Sequence, residues 1–140
     1  MVARFEADGI AFRYPENWSL QRDEQATGWS VSVESPETAF LILTFDTEGP
    51  DIGAIADAAL DTLQEEYPDL ESDPAVESVA GQPAVGYDVR FFSFDLTNTA
   101  GIRAFRAENG TVLILWQYTD LEHDRSEPVL RAIRTSIEET

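Results

Sequence analysis

The sequence predicts an α+β fold, an antiparallel β-sheet flanked by helices in an α/β/α sandwich, and three observations carry that prediction. Segments that alternate apolar and polar residues are joined by hairpin-type turns such as Asp8-Gly9 and Asn109-Gly110, which pair neighbouring strands antiparallel. Two segments, Phe40-Leu41-Ile42-Leu43-Thr44-Phe45 and Val112-Leu113-Ile114-Leu115-Trp116, are apolar on both parities, as expected of strands covered on both faces. Two further segments carry apolar residues at helical spacing and supply that cover.

Taken in order, Arg4 to Ala7 and Ile10 to Tyr14 read as short strands around the Asp8-Gly9 turn, and Pro15 and Asn17 break the run. Trp18 and Leu20 continue an alternating pattern that gives way to a polar stretch over 21–28. Trp29 to Glu34 then alternates with one wet face, and Phe40 to Phe45 follows as a central strand. Ile52, Ile55, Ala56, Ala59, Leu60, Leu63 and Tyr67 mark an amphipathic helix. It should start at Asp51, whose carboxylate can accept from free backbone N–H groups, and end before Pro68, which disfavours helical backbone in its predecessor. Residues 69–74 read as an acidic loop, Val76 to Ala80 as a strand, Gly81-Gln82-Pro83 as a turn and Ala84 to Phe94 as a longer strand. Asn98 to Gly101 reads as the next turn. Ile102 to Ala107 and Thr111 to Tyr118 form a hairpin around Asn109-Gly110, a pair suited to the two positive φ angles of a type I′ turn. A closing helix is expected from about Ser126-Glu127-Pro128, with Val129, Leu130, Ile133 and Ile137 on its buried face. No linker or repeat interrupts the pattern, so one domain is expected over residues 1–140.

Charge is the strongest compositional signal. Among 140 residues, 27 carboxylates face 9 basic residues, a formal charge of -18, and every basic residue is an arginine. No positive charge falls between Arg22 and Arg90. Such a chain repels nucleic acid. In roughly molar salt, where the Debye length shrinks to about 3 Å, its self-repulsion becomes tolerable, and the dense carboxylates keep it hydrated. The expectation is a protein adapted to high salt. A coding bias from Lys to Arg accounts for the missing lysine but not for the excess acid, and a docking face for a basic partner would cluster the acids that are here spread along the chain. Cysteine is absent, which removes disulfides and thiolate chemistry. No apolar run is long enough to cross a membrane, so no membrane insertion is expected. Without a basic segment followed by an apolar one at its start, the chain as given is expected to be cytoplasmic, with export by a removed leader as the alternative.

The motifs that carry chemistry are sparse. His123 is the only histidine, and although Ser126 lies close in sequence, adjacent residues do not build a Ser-His-acid triad and no Gly-x-Ser-x-Gly elbow occurs. Asp69, Glu71 and Asp73 alternate as a calcium loop begins, but Pro74 stands where that loop needs Gly and Ala80 where it needs the bidentate Glu. These three are kept as candidate contacts for a cation or a partner, with no metal site assigned. Trp29 and Trp116 are candidate ligand-binding residues, although aromatics in strands are favoured core residues. Glycines lack nucleotide-cradle spacing, and no cofactor is expected.

The segment Phe12-Arg13-Tyr14-Pro15-Glu16-Asn17-Trp18 resembles the opening F-x-x-P-x-x-W strand and turn of PsbP-like domains, a superfamily that includes the Ran-binding Mog protein. Gly81-Gln82-Pro83-Ala84 before a long strand, and the helix Leu130 to Ile137 ending in Ser-Ile, fit the same outline over nearly the whole chain. The resemblance implies a fold and a non-enzymatic interaction or accessory role with a protein partner. It carries over no binding residue. The alternative is a small-ligand carrier whose aromatic-lined pocket lies between sheet and helix.

Overall fold

The computed structural model describes all residues, Met1–Thr140. Strands β1 (Val2–Ala7) and β2 (Ile10–Pro15) form the first hairpin, and β3 (Ser19–Gln25), β4 (Gly28–Glu34) and β5 (Phe40–Asp46) form a meander. Helix α1 (Ile52–Glu66) follows, then four long strands, β6 (Glu71–Val79), β7 (Gln82–Ser93), β8 (Leu96–Ala107) and β9 (Gly110–Thr119). A single 3-10 turn at Asp120–Glu122 leads into α2 (His123–Ser136), and a short β10 (Glu138–Glu139) closes the chain. The strands make two antiparallel sheets, one of seven in the order β3-β4-β5-β9-β8-β7-β6 and one of three in the order β1-β2-β10.

The two faces of the large sheet are covered differently. On one, Ala56 and Leu63 of α1 pack with Val89, Phe91, Ala100, Ile102 and Ala104 of β7 and β8. The larger core lies on the other face, where the small sheet and α2 press Phe5, Phe12, Leu130 and Ile133 against Val31, Leu43, Phe105 and Ile114. Of the two doubly apolar strands, β9 has cover on both sides, Val112 and Ile114 joining one core while Leu113 and Leu115 pack against the other; β5 gives Leu41, Leu43 and Phe45 to the larger core, and its other face lies outside the cover of α1. α1 begins as expected, with Asp51 Oδ2 accepting from the Ala54 N–H at 2.9 Å, and ends at Tyr67, before Pro68.

Four expectations are corrected. The polar stretch 21–28 holds most of β3, an edge strand almost wholly exposed, which draws its register from β4 and needs no apolar face. The acidic loop over 69–74 is a turn only at Pro68-Asp69; Glu71 onward is β6, the opposite edge strand. Pro74 is tolerated there because an edge strand has one side with no ladder to feed. The turn assigned to Asn98–Gly101 lies inside β8, and the chain instead reverses at Phe94-Asp95, with φ of 52° and 61°. α2 starts at His123, three residues before Ser126, and carries Pro128 as an interior residue; the Asp124 carbonyl deprived of a partner belongs to an exposed residue.

The remaining hairpin forms at the expected place by a different means. Its loop is Glu108-Asn109, neither at positive φ, and Gly110 is the first residue of β9. Glycine is required there for close approach, since a Cβ would stand 2.4 Å from the Asp46 carbonyl oxygen.

A charged cleft as the candidate functional site

Strand alternation decides what the uncovered part of the large sheet presents. On β7, Val89 and Phe91 point to α1, so Asp88 and Arg90 point away from it. Their register partners on β8, Gly101 and Thr99, share that face, as does Arg103. On β6, Glu71, Asp73 and Glu77 stand on the same side. The small sheet does not reach this far, and α2 packs over β2 and β9. The result is a cleft of about 890 Å³ between α2 and the face of β6–β9, within the range of small-molecule sites.

Its floor is Trp116, whose indole lies against Gly101; a Cβ at that glycine would fall 2.0 Å from the ring. The guanidinium carbons of Arg103 and Arg134 sit 5.0 Å and 3.8 Å from the ring centre, a double cation–π arrangement. Both arginines are buried and share one carboxylate oxygen. Arg134 Nε donates to Glu77 Oε1 at 3.2 Å. Arg103 Nε lies 2.9 Å from the same oxygen but is not aimed along a hydrogen bond, so that contact is an ion pair. Arg103 also makes three hydrogen bonds, donating from Nη2 to Asp88 Oδ1 at 2.8 Å and from Nη1 to the carbonyls of Ile102 and Tyr87. Burial lowers the Arg134 pKa from its ordinary value, against the opposing pull of Glu77.

At the start of α2 the Tyr118 hydroxyl lies 2.6 Å from His123 Nδ1, a hydrogen bond whose donor is set by the ring's tautomer. Burial raises the Tyr118 pKa, so the phenol stays protonated at neutral pH. Ser126 turns away from this pair and donates to Glu122 Oε1 at 2.7 Å, while Glu122 Oε2 accepts from the Thr38 N–H. That buried carboxylate ties α2 to the β4–β5 loop, and no serine meets the histidine.

The structure separates the two candidate tryptophans. Trp116 lines the cleft, although at 5% exposure it lies beneath the arginines rather than open to a ligand. Trp29 is 2% exposed in the larger core, stacked on Phe45 and donating Nε1–H to Asp8 Oδ2 at 2.7 Å, and it presents no surface to a pocket. Of the three acidic candidates, Glu71 and Asp73 stand on the cleft wall and Asp69 sits in the turn before it. No three His, Asp or Glu side chains converge as a metal cage would require. Sequence reasoning missed Arg90, Arg103, Arg131 and Arg134, four of the nine arginines, all of which line the cleft.

A second feature stands at the end of the β7–β8 hairpin. Phe92, Phe94 and Leu96 are exposed there, and Phe94, 96% exposed, is held in left-handed backbone.

With the geometry in hand, the architecture defines a class: the chain has the PsbP-like fold, as its opening motif implies. It superimposes on the cyanobacterial PsbP of Synechocystis sp. PCC 6803 with a TM-score of 0.63 at 14% identity, over 99% of this chain and 92% of that one. LpqN of Mycobacterium tuberculosis, a protein involved in cell envelope biogenesis, matches with a TM-score of 0.63 at 13% identity over 99% and 91% of the two chains. PA94 of Pseudomonas aeruginosa, of unknown function, matches at 0.56 and 10% identity over 96% and 94%. No family model matches the sequence, and no curated protein matches it. At these identities the likeness concerns the fold. No helix is long and apolar enough to cross a membrane.

Proposed function

We propose that the chain is a non-enzymatic binding domain that holds a charged ligand in the cleft between α2 and strands β6–β9. One observation carries the reading: in a protein of charge -18, four of nine arginines gather in a single cleft of about 890 Å³. The carrier alternative expects an aromatic-lined pocket between sheet and helix; a cleft between α2 and the sheet supports the binding part of that reading, although its lining is charged over a buried indole rather than aromatic. No serine meets the histidine, and the hydroxyls that reach a base in the cleft are Tyr118 on His123 and Thr99 on Asp120. The test is a set of 1H–15N spectra of the labelled protein titrated with a low-molecular-weight cell extract. Shifts grouped at Thr99, Arg103, Trp116 and Arg134 are expected. An extract that leaves these amides unmoved removes the cleft as the binding site.

A protein-partner reading is favoured by the hairpin tip. Both edges of the large sheet are guarded, β6 by Pro74 and acids and β3 by its charged residues, so strand addition is disfavoured. The exposed Phe92, Phe94 and Leu96 offer the apolar anchor that those edges lack. For the surface as a whole, the acid excess supports a protein suited to high salt. Thermal unfolding followed by circular dichroism from low to molar KCl should show Tm rising steeply, and equal stability at low salt would overturn that view.

A further inference from the structure

One group in the cleft has binding capacity that the chain leaves unused. Arg134 is only 8% exposed, yet its one hydrogen bond within the chain is from Nε to Glu77; Nη1 and Nη2 meet no acceptor. A guanidinium offers five donors, and since Arg134 Nη1 and Nη2 are not among the buried atoms without a partner, they are open to the cleft and free to donate to what enters it. An acceptor entering the cleft would meet the two terminal nitrogens side by side, the geometry that suits a carboxylate. Arg131, three residues earlier on α2, and Arg90, which makes no ion pair, line the same cleft and add positive potential.

The far wall has the opposite sign. Glu71 and Asp73, exposed on edge strand β6, line the cleft without an ion pair; their register partners on β7 are Arg90 and Asp88, so this wall carries three carboxylates to one guanidinium. Counting every lining group, carboxylates outnumber arginines, so the cleft is net negative despite Arg134. A multiply charged anion such as phosphate gains at the arginines and is repelled by the β6 wall. An organic cation gains at the wall and leaves Arg134 unmet. A molecule carrying one carboxylate and one cationic nitrogen satisfies both walls.

We infer that the cleft recognises a zwitterionic small molecule, with its carboxylate on Arg134 Nη1 and Nη2 and its cationic nitrogen against Glu71 and Asp73. The inference rests on the cleft being the binding site and adds the class of ligand. The cleft volume admits amino acids and short peptides.

The test is isothermal titration and 1H–15N spectra with a graded series of ω-amino carboxylates of two to six carbons, each matched by its alkanoate and its alkylamine, and with inorganic phosphate. At least one amino carboxylate should bind at least about tenfold more tightly than either matched half, the size expected for one added charge-assisted contact. Arg134→Gln should erase its advantage over the amine, and Asp73→Asn its advantage over the alkanoate. Asp73 is exposed, so that variant carries the test if Arg134→Gln loosens the fold. An alkanoate or phosphate that binds as tightly as the amino carboxylate overturns the ligand class and leaves the cleft standing. Cleft shifts with cell extract but with none of these probes also overturn the zwitterion alone. Silence with both overturns the inference and the cleft together.

Discussion

Strands β7 and β8 show two different surfaces to the two sides of the same sheet. Toward α1 they present Val89, Phe91, Ala100, Ile102 and Ala104, closed under an apolar helix. Toward α2 they present Asp88, Arg90, Thr99 and Arg103, residues of the open cleft. The backbone pairing is common to both, so the difference lies in the alternation of side chains and in how far each cover extends. α1 lies across β7 and β8, whereas α2 and the small sheet concentrate on the other half. Each face is covered over only part of its width, and the cleft opens on the side of β7 and β8 that faces away from α1 and beyond the reach of the small sheet. The closed face contributes stability through burial, and the open face leaves charged side chains lining a cleft.

Matched truncations on the two faces should differ most. Ile102→Ala removes a fully buried side chain beneath α1 and should cost about 3 kcal/mol, read by chemical denaturation. Arg90→Ala, on the neighbouring strand and the opposite face, should change stability by less than about 0.5 kcal/mol. If Arg90→Ala destabilises as much as Ile102→Ala, the cleft is part of the structural core and the contrast fails.

The next effect sharpens the contrast within the cleft. Glu77 is the shared carboxylate of two buried guanidiniums, and Glu77→Gln leaves Arg103 with Asp88 alone and Arg134 without a charge partner. A cost of about 2 kcal/mol is expected, below that of a fully buried pair because Glu77 retains solvent contact. The same variant should loosen the hold of Arg103 and Arg134 on Trp116 and shift its fluorescence.

The closed face was legible from sequence and the open one was not. α1 could be read from its apolar spacing, Asp51 and Pro68, because each signal is local. β3 and the first half of β6 escaped because an edge needs no apolar residues: β3 is nearly all polar, and β6 opens on Glu71-Ser72-Asp73-Pro74 before the readable Val76 to Val79. The turn between β7 and β8 is expected at Asn98–Gly101, where small and polar residues cluster, while Phe94-Asp95, a poor turn by composition, makes the reversal. For the site, Arg103 and Arg134 lie far apart in sequence, and only the tertiary fold brings both to Glu77. One signal was there to be found. Ile102-Arg103-Ala104-Phe105 places a full charge inside an apolar strand, and such a residue needs a buried partner.

The hairpin tip tests whether exposed residues can be kept at a cost to stability. Phe94 in left-handed backbone is strained, and glycine adopts that conformation freely. Phe94→Gly should therefore stabilise the chain by about 1 kcal/mol in denaturant titration while weakening capture of any protein partner. A loss of stability would show that the ring packs on the chain, contrary to its exposure.

The smallest effect concerns how α2 is held over the charged face. Arg125 donates through Nε and Nη2 to the two oxygens of Glu37, tying α2 to the β4–β5 loop at the surface. The hydrogen bonds from Arg125 hold the Glu37 pKa below its ordinary value, so this tie contributes fully above about pH 4.5 and is lost as pH falls through the lowered value. Arg125→Ala should lower Tm slightly at neutral pH and low salt. The difference from the parent should vanish in acid and in molar salt, because both partners are wet and screened. The Glu77→Gln loss should persist in the same salt, since its arginines are buried. If both losses fade together, Glu77 acts as a surface charge, and the two guanidiniums over Trp116 depend on packing rather than on their shared carboxylate.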